Sequence, residues 1–167
     1  MIIKMAIEII TGLYVGSKID AHNINFLLSR KINVIINTTT EIPFFKECEK
    51  ANIQCIRVPV SDNFNHSKKE KHINEYYYQF PELCKFIDNK LTKCKNILIH
   101  CKYGKFRSTC LVIAYIMYKL EMPLNNTYEI IRTKYPLCKL KKHIYLDTLI
   151  KWEEEINNKK NINNNNG

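Results

Sequence analysis

Cys101 and Arg107 stand six positions apart with Gly104 between them, directly after the apolar run 96–100 and directly before a long apolar stretch. Five intervening residues are enough to curl into one loop whose backbone N–H groups converge on an oxyanion. Gly104 supplies the permissive dihedral that such a curl needs. A helix beginning near Ser108 adds its N-terminal N–H groups and the positive end of its dipole. That field favours the thiolate of Cys101, the nucleophilic form. Arg107 offers a planar fork that binds two phosphate oxygens at once, which a lysine does less specifically. Ser108 is placed to donate its hydroxyl to the sulfur when the sulfur becomes a leaving group. The pattern is a phosphate cradle with a thiol at its centre.

Chance is a poor explanation of this spacing. Seven cysteines and four arginines in 167 residues give a Cys-x5-Arg match by accident about 0.2 times. Requiring one of only four glycines at the third position lowers that about forty-fold. The competing reading of Cys101 is a small buried hydrophobe at a strand end. Neither a Cys-x-x-Cys pair nor a Cys/His cluster with zinc spacing occurs, so no metal is expected. Thiol chemistry on phosphate calls for no cofactor.

The elements that must hold this loop alternate between strand and helix. Residues 7–10 and 13–15 predict two short strands around Thr11 and Gly12. Ala21, Ile24, Leu27 and Leu28 form a helical stripe, predicting a helix over 20–28. Residues 32–37 are rich in β-branched side chains and predict a buried strand that runs into three threonines. A short helix near 44–50 and a strand over 53–60 follow, stopped by Ser61, Asp62 and Asn63. The polar stretch 63–71, with Lys68, Lys69 and Lys71, predicts an exposed loop. Tyr76, Phe80, Leu83, Phe86, Ile87 and Leu91 recur at helical steps over 73–91, with Pro81 bending or restarting the helix. Residues 96–100 predict a strand buried on both faces. Residues 108–120 are apolar nearly all round, which implies a central helix. Helices over 123–135 and 141–157 complete the pattern, with Pro136 as a stop. The chain therefore reads as α/β, a central and mostly parallel sheet flanked by helices. The functional loop sits at the C-terminal end of the 96–100 strand.

At this length one domain is expected over 1–156, followed by a disordered Asn/Lys-rich tail over 157–167. Apolar content of 46% supports a packed core. No apolar run is long enough for a membrane span. Residues 1–15 lack the pattern of a secretory signal. Seven cysteines without a spaced framework fit free thiols in a reducing compartment, so the expected location is cytoplasmic, with the nucleus as a second option. The formal net charge is +10, and only four of the 26 basic residues are arginine. The excess favours acidic partners, although biased lysine and asparagine usage explains it equally well. No nucleic-acid motif supports nucleic acid as a partner. The oligomeric state is left open.

With these residues in place, the chain resembles the dual-specificity phosphatases of the cysteine-dependent protein tyrosine phosphatase superfamily. The resemblance covers residues 7–153. Residues 12–16 resemble the family's opening strand, and residues 34–38 its second block. Residues 57–62 match the segment ending in the general acid, and 100–108 is the signature loop. Residues 114–117 resemble the helix behind it.

The resemblance implies a protein tyrosine phosphatase-like fold and metal-independent hydrolysis of phosphotyrosine and phosphoserine or phosphothreonine. Cys101 would attack phosphorus and form a phosphocysteine, splitting one hard displacement into two easier ones. Arg107 and the loop of Lys102, Tyr103, Gly104, Lys105 and Phe106 would bind the phosphoryl oxygens. Asp62 would protonate the leaving oxygen and then serve as base toward water. Ser108 completes the catalytic set. Read locally, Asp62 is also good turn or helix-cap chemistry.

Three features depart from the family pattern. The stretch after Asp62 is long and basic, which raises Lys68, Lys69 or Lys71 as substrate contacts against a plain solvated loop. Phe106 replaces a small or β-branched residue before the arginine, to pack behind the loop or crowd the pocket rim. The region around Lys142 lacks a frequent asparagine. Lys102 and Lys105 resemble loop lysines of phosphoinositide and inositol pyrophosphate phosphatases, making an inositol phosphate or phosphoinositide the alternative substrate. RNA 5′-triphosphatase activity is a minor option. A phosphate-binding pseudophosphatase is the non-enzymatic one, although Cys101, Arg107 and Asp62 are all retained. A rhodanese-like sulfur carrier does not require Arg107 at this spacing.

Overall fold

A computed structural model describes residues 5–62, 66–141 and 143–165. In chain order the elements are β1 (Ile7–Ile10), β2 (Leu13–Ser17), α1 (Lys18–Ala21), α2 (Ile24–Ser29), β3 (Ile32–Asn37), α3 (Glu47–Lys50) and β4 (Gln54–Arg57). They continue as α4 (Lys69–Tyr77), α5 (Phe80–Thr92), β5 (Asn96–Cys101), α6 (Arg107–Leu120), α7 (Leu124–Lys134) and α8 (Ile144–Asn165).

The five strands form one sheet in the order β1-β2-β5-β3-β4. β1 lies antiparallel to β2, and every other pairing is parallel. Strand alternation sends successive side chains to opposite faces. Leu13, Val15, Val34, Ile36, Ile97 and Ile99 therefore join the larger core, under α4 to α8. Tyr14, Ile35 and Leu98 join the smaller core with Ala21, Phe26, Leu27 and Cys48 from α1 to α3. Both faces of β5 are covered, which is why residues 97–99 form an unbroken apolar run.

Its C-terminal end opens between β2 and β3, where Ser17 pairs with Cys101 and Asn37 with His100. In α6 every residue from Arg107 to Met117 is buried, as expected for a central helix. Among the described residues no helix is long and apolar enough to cross a membrane.

Several boundaries differ from the sequence expectation, each for a local reason. The helix predicted over 20–28 is two helices, because Ser17 and Asn23 each start one. The Ser17 hydroxyl accepts from the Ile19 N–H at 3.2 Å, and Asn23 Oδ1 from the Phe26 N–H at 3.1 Å. Pro81 restarts the helix over 73–91, standing in the first turn of α5 where its missing N–H costs nothing. Only 54–57 of the predicted strand 53–60 is laddered, and 58–60 has no regular secondary structure, although the Val58 N–H still donates to the Asn37 carbonyl at 2.9 Å.

The predicted basic loop is largely helical. Residues 66–68 make a 3-10 turn, Lys69 and Lys71 open α4, and Asn63, Phe64 and Asn65 lie outside the described residues. Lys69 pairs with Asp147 at 2.6 Å and Lys71 with Glu75 at 3.6 Å. The last helix passes its predicted end at Asn157 and reaches Asn165, so the stretch expected to be disordered is helical there. Lys159 pairs with Glu155 one turn back, Lys160 with Glu121 at 3.0 Å, and the Lys159 ammonium lies 5.9 Å from the Trp152 ring centroid.

Candidate active site

Cys101 ends β5 with 3% of its surface exposed. The Ser108 hydroxyl donates to its sulfur at 3.3 Å. Residues 102–106 bend between strand and helix, and Gly104 takes φ +68°. A Cβ there would strike the Tyr135 hydroxyl and approach the Gly16 carbonyl oxygen within 2.8 Å. Thr109 closes the loop from inside α6, its hydroxyl reaching the Lys105 carbonyl at 2.9 Å. Among the described residues no side chain caps the start of α6. Its first-turn N–H groups thus lack the side-chain partner that helix starts usually have, as an anion site requires.

Arg107 is 1% exposed, yet its terminal nitrogens are fully engaged. Nη1 donates to Glu41 Oε2 at 3.0 Å and to the Val60 carbonyl at 3.2 Å. Nη2 donates to Glu41 Oε1 at 3.0 Å and to Asp62 Oδ2 at 3.1 Å. Burial disfavours the guanidinium charge, but Glu41 and Asp62 outweigh it and hold Arg107 above its ordinary pKa. Burial likewise works against Glu41, and the hydrogen bond from Arg107 still keeps that carboxyl below its usual range.

The segment leading to Asp62 is held from a third side. Tyr145 donates to the Ser61 carbonyl at 2.8 Å, and Tyr76 to the Arg107 carbonyl at 2.6 Å. The two rings meet edge to face at 5.6 Å. Together they brace the residue before Asp62 and the start of α6 against one another. His100, just before Cys101, is pushed down to about 4 by burial and stays neutral. Its carbonyl accepts from both the N–H and the hydroxyl of Thr38, at 2.9 and 2.8 Å.

The structure thus brings Cys101, Arg107, Ser108 and Asp62 into one cluster. Tyr103 is 54% exposed at the rim, with the ammonium groups of Lys102 and Lys105 at 5.1 and 5.8 Å from its ring centroid. Phe106 packs against the core and stacks on His143 at 4.1 Å. Lys142 lies outside the described residues. Glu41 was not anticipated from the sequence. The signal was its place just beyond β3, since ligand-facing loops of such sheets follow the C-terminal strand ends.

Residues 13–155 match the family model "Dual specificity phosphatase, catalytic domain". Human dual specificity protein phosphatase 9 is 31% identical over 128 residues, 77% of this chain and 31% of that protein. Human dual specificity protein phosphatase 6 is 30% identical over the same shares of each chain. The chain thus spans about a third of the length of these curated relatives. Among solved structures, human DUSP28 superposes with a TM-score of 0.78 at 18% identity, covering 91% of this chain and 95% of that one. DUSP15 does so with a TM-score of 0.73 at 26% identity, covering 91% and 87%. A thiol under a bent loop, an arginine fork and an aspartate beside it occur here inside the family-model match over residues 13–155, and the chain belongs to the dual-specificity phosphatase catalytic-domain family.

Proposed function

We propose that this domain is a metal-independent protein phosphatase acting on phosphotyrosine and on phosphoserine or phosphothreonine through a phosphocysteine intermediate. The observation that carries the reading is the convergence of the Ser108 hydroxyl on Cys101 Sγ and of the Arg107 fork on Asp62. In the first step the Cys101 thiolate attacks phosphorus, the bond to the leaving oxygen breaks, and protonated Asp62 gives that oxygen its proton. Arg107 and the loop N–H groups hold the equatorial oxygens. In the second step water attacks phosphorus, Asp62 takes its proton, and sulfur leaves with the Ser108 hydroxyl donating to it. Asp62 must turn from Arg107 toward the leaving oxygen in each cycle.

Lys102 and Lys105 beside Tyr103 favour a second reading, an inositol phosphate or phosphoinositide at the same cysteine, because extra cations at the rim suit a polyanion. A side-by-side release assay separates the two. Phosphotyrosyl and phosphothreonyl peptides are expected to be hydrolysed faster than a phosphoinositide, an inositol pyrophosphate or triphosphorylated RNA. Loss of all turnover in Cys101→Ser is expected, and retained turnover would remove the nucleophile assignment. A thiolate nucleophile needs a reducing compartment, which supports a cytoplasmic or nuclear setting.

A further inference from the structure

Glu41 reaches the Arg107 fork from a loop that is gripped on both sides of it. Arg57, at the end of β4, donates from Nη1 to the Thr39 carbonyl at 2.7 Å and from Nη2 to the Ile42 carbonyl at 2.8 Å. Its guanidinium lies 4.7 Å from the centroid of the Phe44 ring. Asn37, opposite Arg57 where β3 pairs with β4, donates from Nδ2 to the same Ile42 carbonyl at 2.8 Å. The Thr39 hydroxyl donates to Asn37 Oδ1 at 2.7 Å and accepts from the Ile42 N–H at 3.0 Å. Asn37 and Thr39 are buried, and Arg57 is half-buried. In this lysine-rich chain only four of the 26 basic residues are arginine. Two carbonyls and a ring face call for a planar fork, and the point charge of a lysine cannot serve all three.

The structure assigns Arg57 as a positioning residue that sets how strongly Glu41 competes with a phosphate for Arg107. This rests on the reading of Arg107 as the phosphate-binding fork and adds a control on that site. The terminal nitrogens of Arg107 are fully engaged, so a phosphate must displace one of their partners. A glutamate on a free loop gives up backbone and side-chain freedom when it pairs, which weakens it as a competitor. Here the backbone is fixed two residues before Glu41 and one after it, so the backbone part of that cost is met in folding. The clamp thus strengthens the two 3.0 Å contacts between Glu41 and Arg107, and loosening it releases the fork to an incoming phosphate. A direct electrostatic role has the opposite sign, because a cation near the site attracts phosphate and its removal weakens binding. The sign of the effect separates positioning from charge.

The test compares the full chain with Arg57→Gln and Arg57→Lys, each alone and combined with Glu41→Gln. Inorganic phosphate is the probe. Its constant is read as competitive inhibition of aryl phosphate turnover, and again by calorimetric titration of the same variants carrying Cys101→Ser. Both Arg57 variants are expected to bind phosphate about three-fold more tightly than the parent and to lower KM by a similar factor, with kcat within about two-fold. On the Glu41→Gln background the same changes should move the phosphate constant by less than about 1.5-fold, because the competitor is already gone. Weaker phosphate binding in Arg57→Gln that Arg57→Lys restores would make Arg57 a charge near the site and overturn the assignment. An unchanged constant, or a change of equal size on both backgrounds, would leave Arg57 a structural residue only and overturn it as well. Should Arg57→Gln fail to fold, Arg57→Lys carries the comparison, since it keeps the charge and loses the fork. Absence of turnover in the parent, with phosphate binding still following this pattern, would instead count against the phosphatase reading and leave the positioning role standing.

Discussion

Arg107 and Glu41 meet through two parallel hydrogen bonds, Nη1 to Oε2 and Nη2 to Oε1, each 3.0 Å long. The same two nitrogens also serve the Val60 carbonyl and Asp62, so all four of their N–H groups have protein acceptors. A phosphate dianion must exchange with at least one carboxylate to reach the fork. Glu41 is 40% exposed on its side chain and has water to turn to, whereas Arg107 does not. Glu41→Gln removes the competing charge. Inorganic phosphate is expected to inhibit this variant about three- to ten-fold more strongly than the parent, read as a competitive constant against an aryl phosphate. Stability should fall by about 1 kcal/mol in chemical denaturation, the modest size reflecting the solvent that already screens Glu41. Weaker inhibition would mean that Glu41 positions the fork instead of competing for it.

Asp62 is bonded to Arg107 at 3.1 Å, which keeps the carboxyl near the reaction without committing it. Asp62→Ala is expected to lower kcat on phosphopeptides by about 10²- to 10⁴-fold, the usual range for a lost general acid. An aryl phosphate with a strongly acidic leaving phenol needs little protonation and should lose less than about ten-fold. Rates across a series of leaving groups check this. An equal loss over the whole series would assign Asp62 to holding Arg107 rather than to proton transfer.

Much of this site was legible before folding because it is local. The spacing of Cys101, Gly104, Arg107 and Ser108 lies within eight residues, and the apolar stretches 97–99 in β5 and 110–117 in α6 on either side announce a central strand and helix. What stayed hidden comes from elsewhere in the chain. Glu41 reaches Arg107 across 66 positions, Tyr145 reaches Ser61 across 84, and Tyr76 reaches the Arg107 carbonyl across 31. No periodicity marks such contacts, since each depends on where parallel strands and packed helices finally lie. The helix ends were misplaced for the opposite reason. Asn23 and Lys159 act through single caps and one-turn ion pairs, which shift a boundary without changing the pattern of burial.

Gly104 combines a positive φ with a neighbour on each side. The dihedral alone makes a Cβ unfavourable by about 1–2 kcal/mol. The Tyr135 hydroxyl is buried and the Gly16 carbonyl belongs to β2, so neither can move aside cheaply. Gly104→Ala is therefore expected to distort the loop, cutting aryl phosphate turnover by more than about 100-fold with a smaller loss of stability. Pairing it with Tyr135→Phe, which leaves the dihedral strained, should restore little activity. Full activity in Gly104→Ala would show that the curl tolerates a side chain.

His100 gives the domain a dependence on acid that does not involve the phosphate. Burial holds its folded pKa at about 4 against an ordinary value of 6.5, and Nδ1 finds no hydrogen-bond partner among the described residues. The sign follows from which state binds the proton. Above pH 6.5 neither the folded nor the unfolded chain is protonated there, and His100 adds no slope. Between pH 6.5 and 4 the unfolded chain takes up the proton first, so stability falls as pH falls. The full loss is about 3 kcal/mol at pH 4. His100→Asn, neutral throughout, should lower stability at pH 7.5 through its poorer fit yet flatten the slope between pH 6.5 and 4.5. Denaturant midpoints across that range measure both effects. An unchanged slope in the variant would assign the acid sensitivity to the carboxylates, chiefly the Glu41 group that Arg107 keeps ionised.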